Sequence, residues 1–172
     1  MRSWTGFLVA ILVLCACGAV QAQRNIVFIL TDDQRFDALG MLNPYFETPH
    51  LDALAEGGIL FENAFVTTSL CSPSRASFLS GQWAHRHGVL DNGTPLDSET
   101  PTFPRLLQDA GYETAFIGKW HMWGSSDEPR PGFDHWVSFR GQGQYVNQRF
   151  NVNGEYVNTE GHNADRLTDF AE

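Results

Sequence analysis

The stretch NIVFILTDD, residues 25–33, carries the pattern that decides the fold class. Residues 25–30 form an apolar run without alternation, which is typical of a central strand covered on both faces of a parallel sheet. Further strands are predicted at residues 59–66 and 113–117, and helices at residues 49–57, 72–81, 102–110 and from residue 163 onward. Because strands alternate with helices, the sequence predicts an α/β fold, a sandwich built around a mainly parallel sheet.

The C-terminal part of the sequence contains one clear turn signal and one unfinished element. The dipeptide Asn153-Gly154 stands between short segments with strand character and predicts a two-residue β-hairpin turn. The helix predicted from Asn163 is still running at residue 172. We therefore expect the sequence to be the N-terminal part of a longer protein.

The first 22 residues resemble a secretory signal peptide. They contain Arg2, an apolar run over residues 7–14, and Ala22 at a position that a signal peptidase recognises. The sequence thus predicts a mature domain over residues 23–172, exported to the periplasm or the exterior, without a membrane span. In an alternative interpretation, Cys17 is the lipidated residue of a bacterial lipobox and anchors the protein to a membrane.

Composition restricts the classes of function. Of the 172 residues, 42% are hydrophobic and 18% are charged, which is enough apolar content for a packed core. The net charge of −9 argues against nucleic acid as a partner. Once the signal peptide is removed, Cys71 is the only cysteine left, so a disulfide framework is excluded. Lys119 is the only lysine of the chain.

Asp32 and Asp33 follow the first predicted strand directly. Ligands of open α/β sheets collect at the carboxyl ends of strands, and two adjacent carboxylates repel each other unless a cation or a proton separates them. Hard divalent ions such as Ca²⁺ or Mg²⁺ prefer oxygen ligands of this kind. The pair therefore indicates a metal site, and a solvated Asp-Asp turn or a helix cap is the alternative.

The segment around Cys71 carries a second candidate site. Pro73 predicts a helix that starts just after Cys71, which places residue 71 at the positive end of a helix dipole. Arg75 lies about one turn further on, and its guanidinium group suits a tetrahedral oxyanion. A nucleophile next to an anion-binding site is what the transfer of a sulfuryl or phosphoryl group requires. The alternative is a buried cysteine beside an ordinary helix cap.

Three motifs make the sequence resemble the type I sulfatases. The family signature C-x-P-S-R, followed by an apolar pair and T-G, stands here as residues 71–75 (CSPSR) and 78–81 (FLSG), with Ser80 in place of the commoner Thr. The second signature is complete as residues 111–121 (GYETAFIGKWH), and residues 31–34 (TDDQ) match the first metal-binding segment of the family. The resemblance implies an alkaline-phosphatase-like sandwich, of which this chain holds the N-terminal part of the catalytic domain.

The resemblance also implies a nucleophile. In this family a dedicated maturation enzyme oxidises the motif cysteine, here Cys71, to formylglycine (3-oxoalanine). The hydrated aldehyde attacks sulfur, displaces the alcohol and then expels sulfate as the aldehyde reforms. Asp32 and Asp33 match carboxylates that hold Ca²⁺ together with the modified Cys71, and Mg²⁺ is the less favoured ion.

Three cationic or titratable side chains take their roles from the same resemblance. Arg75 matches the residue that orients the diol, and Lys119 matches the one that neutralises the charge of sulfate. His121 matches a residue that hydrogen-bonds the diol and helps to deprotonate it. Since the remaining ligands of the family are absent from residues 136–172, we expect residues 23–172 alone to be inactive.

The implied activity is that of a sulfuric ester hydrolase acting on a sulfated carbohydrate or an aryl sulfate. The order of residues 131–136, 142–144 and 153–154 is similar to bacterial carbohydrate sulfatases such as the N-acetylglucosamine-6-sulfatases. The alternatives are a metal-dependent phosphohydrolase of the alkaline phosphatase superfamily, and an inactive domain that retains the fold.

Two further groups of residues have open roles. His85 and His87 either line the substrate pocket or satisfy local backbone groups. The aromatic side chains between residues 123 and 145 either stack on sugar faces or pack in the core, and they include Trp123, Trp136, Phe139 and Tyr145.

Overall fold

A computed structural model describes residues 24–122 and 126–172. The predicted signal peptide, the alternative lipidation site at Cys17, and Trp123 lie outside the described residues. The chain divides into two compact units, Met1–Phe46 and Glu47–Glu172. In the first unit, the described residues form an extended segment followed by turns, in which Arg35 and Asp37 make an ion pair at 2.6 Å.

The second unit contains the regular elements found among the described residues. Its helices are α1 (Pro49–Gly57), α2 (Cys71–Ser80), α3 (Ala84–His87), α4 (Phe103–Asp109) and α5 (Asn163–Ala171). Its strands are β1 (Ala115–Lys119), β2 (His135–Phe139), β3 (Arg149–Val152) and β4 (Glu155–Asn158). The four predicted helices are confirmed to within one or two residues at each end.

The strands form one mixed sheet in the order β1-β2-β3-β4. Strands β1 and β2 are parallel, with Ile117 opposite Val137, and the pairs β2-β3 and β3-β4 are antiparallel. The third predicted strand, expected over residues 113–117, begins at Ala115 in the structure, because Thr114 is hydrogen-bonded to the Asp134 side chain. The backbone N–H and the hydroxyl of Thr114 both donate to the Asp134 carboxylate, at 2.8 and 2.9 Å.

The predicted hairpin is confirmed. Strands β3 and β4 flank Asn153 and Gly154, whose φ angles of 52° and 97° are both in the left-handed region that such a turn needs. The Asn153 side chain also accepts a hydrogen bond from the backbone N–H of Trp136, at 2.7 Å. The turn therefore ties the hairpin to the start of β2.

The predictions of strands at residues 25–30 and 59–66 are wrong for this structure, which has no strand in either segment. The side chains of Val27 and Ile29 are 83% and 72% exposed, and those of Ile59 and Phe65 are 80% and 91% exposed. An apolar run becomes a central strand only when neighbouring strands pair with it and other layers cover both faces. Neither segment has such a partner among the described residues.

Two apolar clusters form the core of the second unit. The first packs the N-terminal part of the sheet against α2, and its aromatic rings lie 4.8–6.2 Å apart between centroids. Those rings belong to Phe116, Trp120, Phe133 and Trp136. The second cluster packs β2 and β3 against α5 and centres on Val137, Phe139 and Phe150.

Trp136 and Phe139 are thus core residues, with 1% and 4% of their surface exposed, and they are not available for stacking on sugars. Tyr145 is 84% exposed. In the described part of the chain, no helix is both long and apolar enough to cross a membrane.

Candidate active site

Helix α2 begins at Cys71 and presents that residue at its first position. The preceding residue, Leu70, has extended backbone and offers no side-chain cap. The cap comes from elsewhere, because the side-chain oxygen of Asn92 accepts the backbone N–H of Ser72 at 3.0 Å. Cys71 is half-buried, and Ser72 and Pro73 behind it are fully buried, so the helix start is fixed on one side and open on the other.

Ser80, which stands where the family more often has Thr, uses its hydroxyl at the far end of α2. Its hydroxyl donates to the Ala76 carbonyl at 2.6 Å and accepts the Gln82 backbone N–H at 3.2 Å. A threonine offers the same hydroxyl. Gly81 then ends the helix with a φ of 66°, a conformation that glycine adopts at little cost.

Two hydrogen bonds join α2 to the segment that follows β1. The Ser72 hydroxyl donates to the His121 carbonyl at 2.6 Å, and the Arg75 guanidinium donates to the Lys119 carbonyl at 2.5 Å. They span 49 and 44 residues of sequence. The structure therefore brings the predicted residues Cys71, Arg75, Lys119 and His121 to one place, where the start of α2 meets the end of β1.

His121 has an unusual backbone conformation for its position. Strand β1 ends at Lys119, and His121 has a φ of 62°, which few non-glycine residues adopt. The alternation of a strand therefore does not extend from Lys119 to His121. The orientation of His121 is set instead by the bond from Ser72 to its carbonyl and by the bond from the Leu96 N–H to the Met122 carbonyl, at 3.0 Å.

The side chain of Lys119 is held by a residue that the sequence did not single out as a site residue. Its ammonium group donates to the side-chain oxygen of Gln142 at 2.5 Å. Gln142 lies in the turn after β2, next to Gly141 and Gly143, and the sequence marked it only as part of the stretch 142–144 that is similar to carbohydrate sulfatases. Ser72 and Asn92 were also missed, because a contact over such separations leaves no pattern in the sequence.

Of the two roles expected for His87, the structure shows the second, in which the ring satisfies a local backbone group. Its Nδ1 atom accepts the Val89 backbone N–H at 3.1 Å, so Nε2 carries the proton of the neutral ring and donates to the Ser77 hydroxyl at 3.0 Å. Burial lowers the pKa of His87, which keeps the ring neutral. His87 therefore braces α2 against α3, whereas His85 is exposed.

Asp32 and Asp33 lie in the first unit, and both are exposed. Asp33 has a φ of 54°, so it shares with His121 the left-handed conformation that is uncommon outside glycine. Within residues 24–122 and 126–172, no group of three or more His, Cys, Asp or Glu side chains is placed to hold a metal ion. The metal-binding role of Asp32 and Asp33 stays a prediction.

Comparisons with known proteins agree on one family. The sulfatase family model matches residues 24–172. An N-acetylglucosamine-6-O-sulfatase from Bacteroides thetaiotaomicron is 38% identical over 170 residues, which are 94% of this chain and 30% of that protein. The chain therefore spans about a third of the length of this relative.

Two solved structures extend the comparison. A structure described as a complex with its substrate D-glucosamine-2-N,6-O-disulfate superposes with a TM-score of 0.79 at 38% identity, over 86% of this chain and 30% of that one. A phosphonate monoester hydrolase from Silicibacter pomeroyi superposes with a TM-score of 0.59 at 34% identity, over 69% of this chain and 26% of that one. The likeness agrees with the predicted α/β, alkaline-phosphatase-like fold class, of which the chain holds an N-terminal portion.

Proposed function

This chain belongs to the sulfatase family, and on that premise we propose that the complete protein is a sulfuric ester hydrolase that removes sulfate from a sulfated carbohydrate or an aryl sulfate. One observation carries the proposal. Cys71 stands at the first position of α2, and the two bonds from Ser72 and Arg75 hold the segment with Lys119 and His121 beside it.

The chemistry of these groups suits the cleavage of a sulfate ester. If Cys71 is converted to formylglycine by a maturation enzyme, its hydrated aldehyde supplies an oxygen nucleophile where the thiol now stands. The N-terminal dipole of α2 and the charge of Arg75 favour an anionic group at this position. Lys119 adds a second positive charge for the sulfate oxygens, and His121 offers a ring nitrogen for proton transfer.

The donor chemistry of Asp32 and Asp33 fits Ca²⁺. Two adjacent carboxylates supply hard oxygen ligands, and Ca²⁺ takes six to eight such oxygens, so it needs further protein or water ligands besides this pair. A bound Ca²⁺ would supply charge neutralisation for the sulfate group. The proposal assigns Asp32, Asp33 and the modified Cys71 to this ion, with Mg²⁺ as the less favoured alternative.

The substrate that we propose is a sulfated amino sugar. The relative from B. thetaiotaomicron is named an N-acetylglucosamine-6-O-sulfatase, and the solved neighbour is described with a disulfated glucosamine. We also propose that the protein is exported and that a maturation enzyme acts on Cys71 during its production. These proposals depend on residues 1–22 and on the motif at residues 71–75.

Turnover and mass spectrometry test the proposal together. The complete protein, produced in a host that forms formylglycine, is assayed with an aryl sulfate and with 6-sulfated N-acetylglucosamine. We expect release of sulfate, a peptide spanning residue 71 that reacts with hydrazides, and loss of both in Cys71→Ala. Ser69→Ala, an exposed neighbour outside the C-x-P-S-R signature, is the matched control. Full activity with an intact Cys71 thiol would contradict the proposed nucleophile.

A phosphonate or phosphate ester is the second candidate substrate class. The observation that favours it is the likeness to the phosphonate monoester hydrolase, at 34% identity. An aryl phosphonate and an aryl phosphate are therefore assayed beside the aryl sulfate. A kcat/KM that is highest for the phosphonate would replace the sulfatase proposal with this one.

A further inference from the structure

A polar cavity of about 360 Å³ lies in the second unit, and the proposed reaction gives it no role. It is lined by Asp127, Arg140, Gln142, Gly143, Gln144, Gln148 and Arg149. The chain as a whole has a net charge of −9 and only 11 lysine and arginine residues. Two arginines and three glutamines around one cavity therefore form a local site for an anionic, hydroxyl-rich ligand.

The two arginines are exposed, and they contact a small network around one buried carboxylate. Asp127, which is 2% exposed, accepts a hydrogen bond from the Tyr156 hydroxyl at 2.9 Å and lies 3.5 Å from Nε of Arg140. The guanidinium group of Arg149 lies over the ring of Tyr156, 4.1 Å from its centroid. Asp127 offsets one of the two positive charges, so the cavity keeps one in excess.

The remaining wall is a turn with a fixed shape. Gly143 has a φ of 72°, and a Cβ atom at this position would lie 2.5 Å from the ring of Phe139. The side-chain oxygen of Gln148 accepts the backbone N–H of Gln144 at 2.5 Å. The cavity is therefore preorganised, which lowers the entropic cost of binding a ligand.

Gln142 connects the cavity to the candidate active site. It lines the cavity, and its side-chain oxygen accepts the hydrogen bond from Lys119. The cavity and the Lys119 ammonium group therefore share one side chain, that of Gln142. Resting on the proposed function, we propose that the cavity binds a second anionic substituent of the sugar substrate, a sulfate or a carboxylate group, beside the sulfate that is cleaved.

Arg149→Gln in the complete protein tests this subsite. Arg149 is exposed, so the variant removes one charge without leaving the buried Asp127 unpaired, as a change at Arg140 would. The matched control is Arg166→Gln, which removes an arginine paired with Asp169 on α5 and does not line the cavity.

Four substrates separate the outcomes: an aryl sulfate, glucosamine 6-sulfate, glucosamine 2-N,6-O-disulfate, and a 6-sulfated glucosamine joined to a hexuronic acid. In Arg149→Gln we expect kcat/KM to fall about ten-fold or more, mainly through KM, for substrates with a second anionic group. The aryl sulfate and the monosulfated sugar should keep their wild-type values. The disulfated and uronate-bearing substrates show whether sulfate or carboxylate is the preferred group.

An equal change for all four substrates, or no change for any, overturns the subsite. If the wild type hydrolyses none of them, the proposed function fails, and the subsite is judged by calorimetric titration of the disulfated sugar. Binding that is about ten-fold weaker in Arg149→Gln than in Arg166→Gln supports the subsite even then. Equal affinity in the two variants refutes it.

Discussion

The hydrogen bond from Ser72 to the His121 carbonyl is the most informative contact to remove, because it joins the residue after Cys71 to a second candidate site residue. Ser72 is fully buried, and the bond is 2.6 Å long. Ser72→Ala removes the donor hydroxyl and leaves the His121 carbonyl without this hydrogen bond. A lost bond of this kind costs about 1–2 kcal/mol of the free energy of unfolding.

The same substitution should also reduce turnover. The φ of 62° at His121 is uncommon for a non-glycine residue, and such a conformation persists only where its surroundings enforce it. Without the bond from Ser72, the segment after β1 is free to relax and His121 shifts. Since misplacement by about 1 Å can cost a hundred-fold in rate, we expect kcat of the complete protein to fall by about ten- to a hundred-fold.

Urea unfolding and steady-state kinetics check the two effects, with Ser98→Ala as the control at an exposed serine. We expect the control to keep the wild-type unfolding midpoint and kcat. If Ser72→Ala matches the control in both measurements, the bond does not position His121, and the reasoning from this contact is refuted.

Four other perturbations have defined outcomes. Arg75→Lys keeps the charge but loses the planar fork that donates to the Lys119 carbonyl. We therefore expect kcat/KM to fall about ten-fold or more in steady-state kinetics, together with a lower urea unfolding midpoint, and wild-type kinetics would count against a role for the guanidinium group. The lowered pKa of His87 means that the folded state resists protonation of this ring. The contribution of His87 to stability is therefore present above its ordinary pKa of about 6.5, and it is lost as pH falls through the lower pKa of the folded state. The urea midpoint should therefore decrease between pH 7.5 and 5.5 by more in the wild type than in His87→Gln, and parallel curves would refute this. Gly143→Ala should destabilise the protein by about 1–3 kcal/mol, because the φ of 72° at Gly143 and the ring of Phe139 exclude a Cβ atom. An unchanged urea unfolding midpoint would show that the turn rearranges at little cost. Removal of Ca²⁺ with a chelator should abolish turnover of an aryl sulfate, and so should Asp33→Asn. Adding Ca²⁺ should restore turnover in the wild type alone, and activity that resists the chelator would contradict the proposed metal.

Local chemistry made several elements predictable from the sequence. Pro73 predicted the start of α2, Gly81 predicted its end, and Asn153-Gly154 predicted the hairpin, because each acts on the backbone of its own or adjacent residues. The predictions at residues 25–30 and 59–66 failed because a strand exists only through pairing with other strands. An apolar run states a preference for burial, and it does not supply the partner that completes the ladder.

For the candidate site, the sequence by itself determined which side chains are present and where the turns and helix ends place them along the chain. Cys71, Arg75, Lys119 and His121 could be named from motifs alone. Only the tertiary structure decided that Ser72 binds the carbonyl of His121 and that Gln142 holds Lys119, across 49 and 23 residues. Such contacts depend on how α2 and the turn after β2 pack against β1, and packing is a property of the whole unit that no single stretch of sequence encodes.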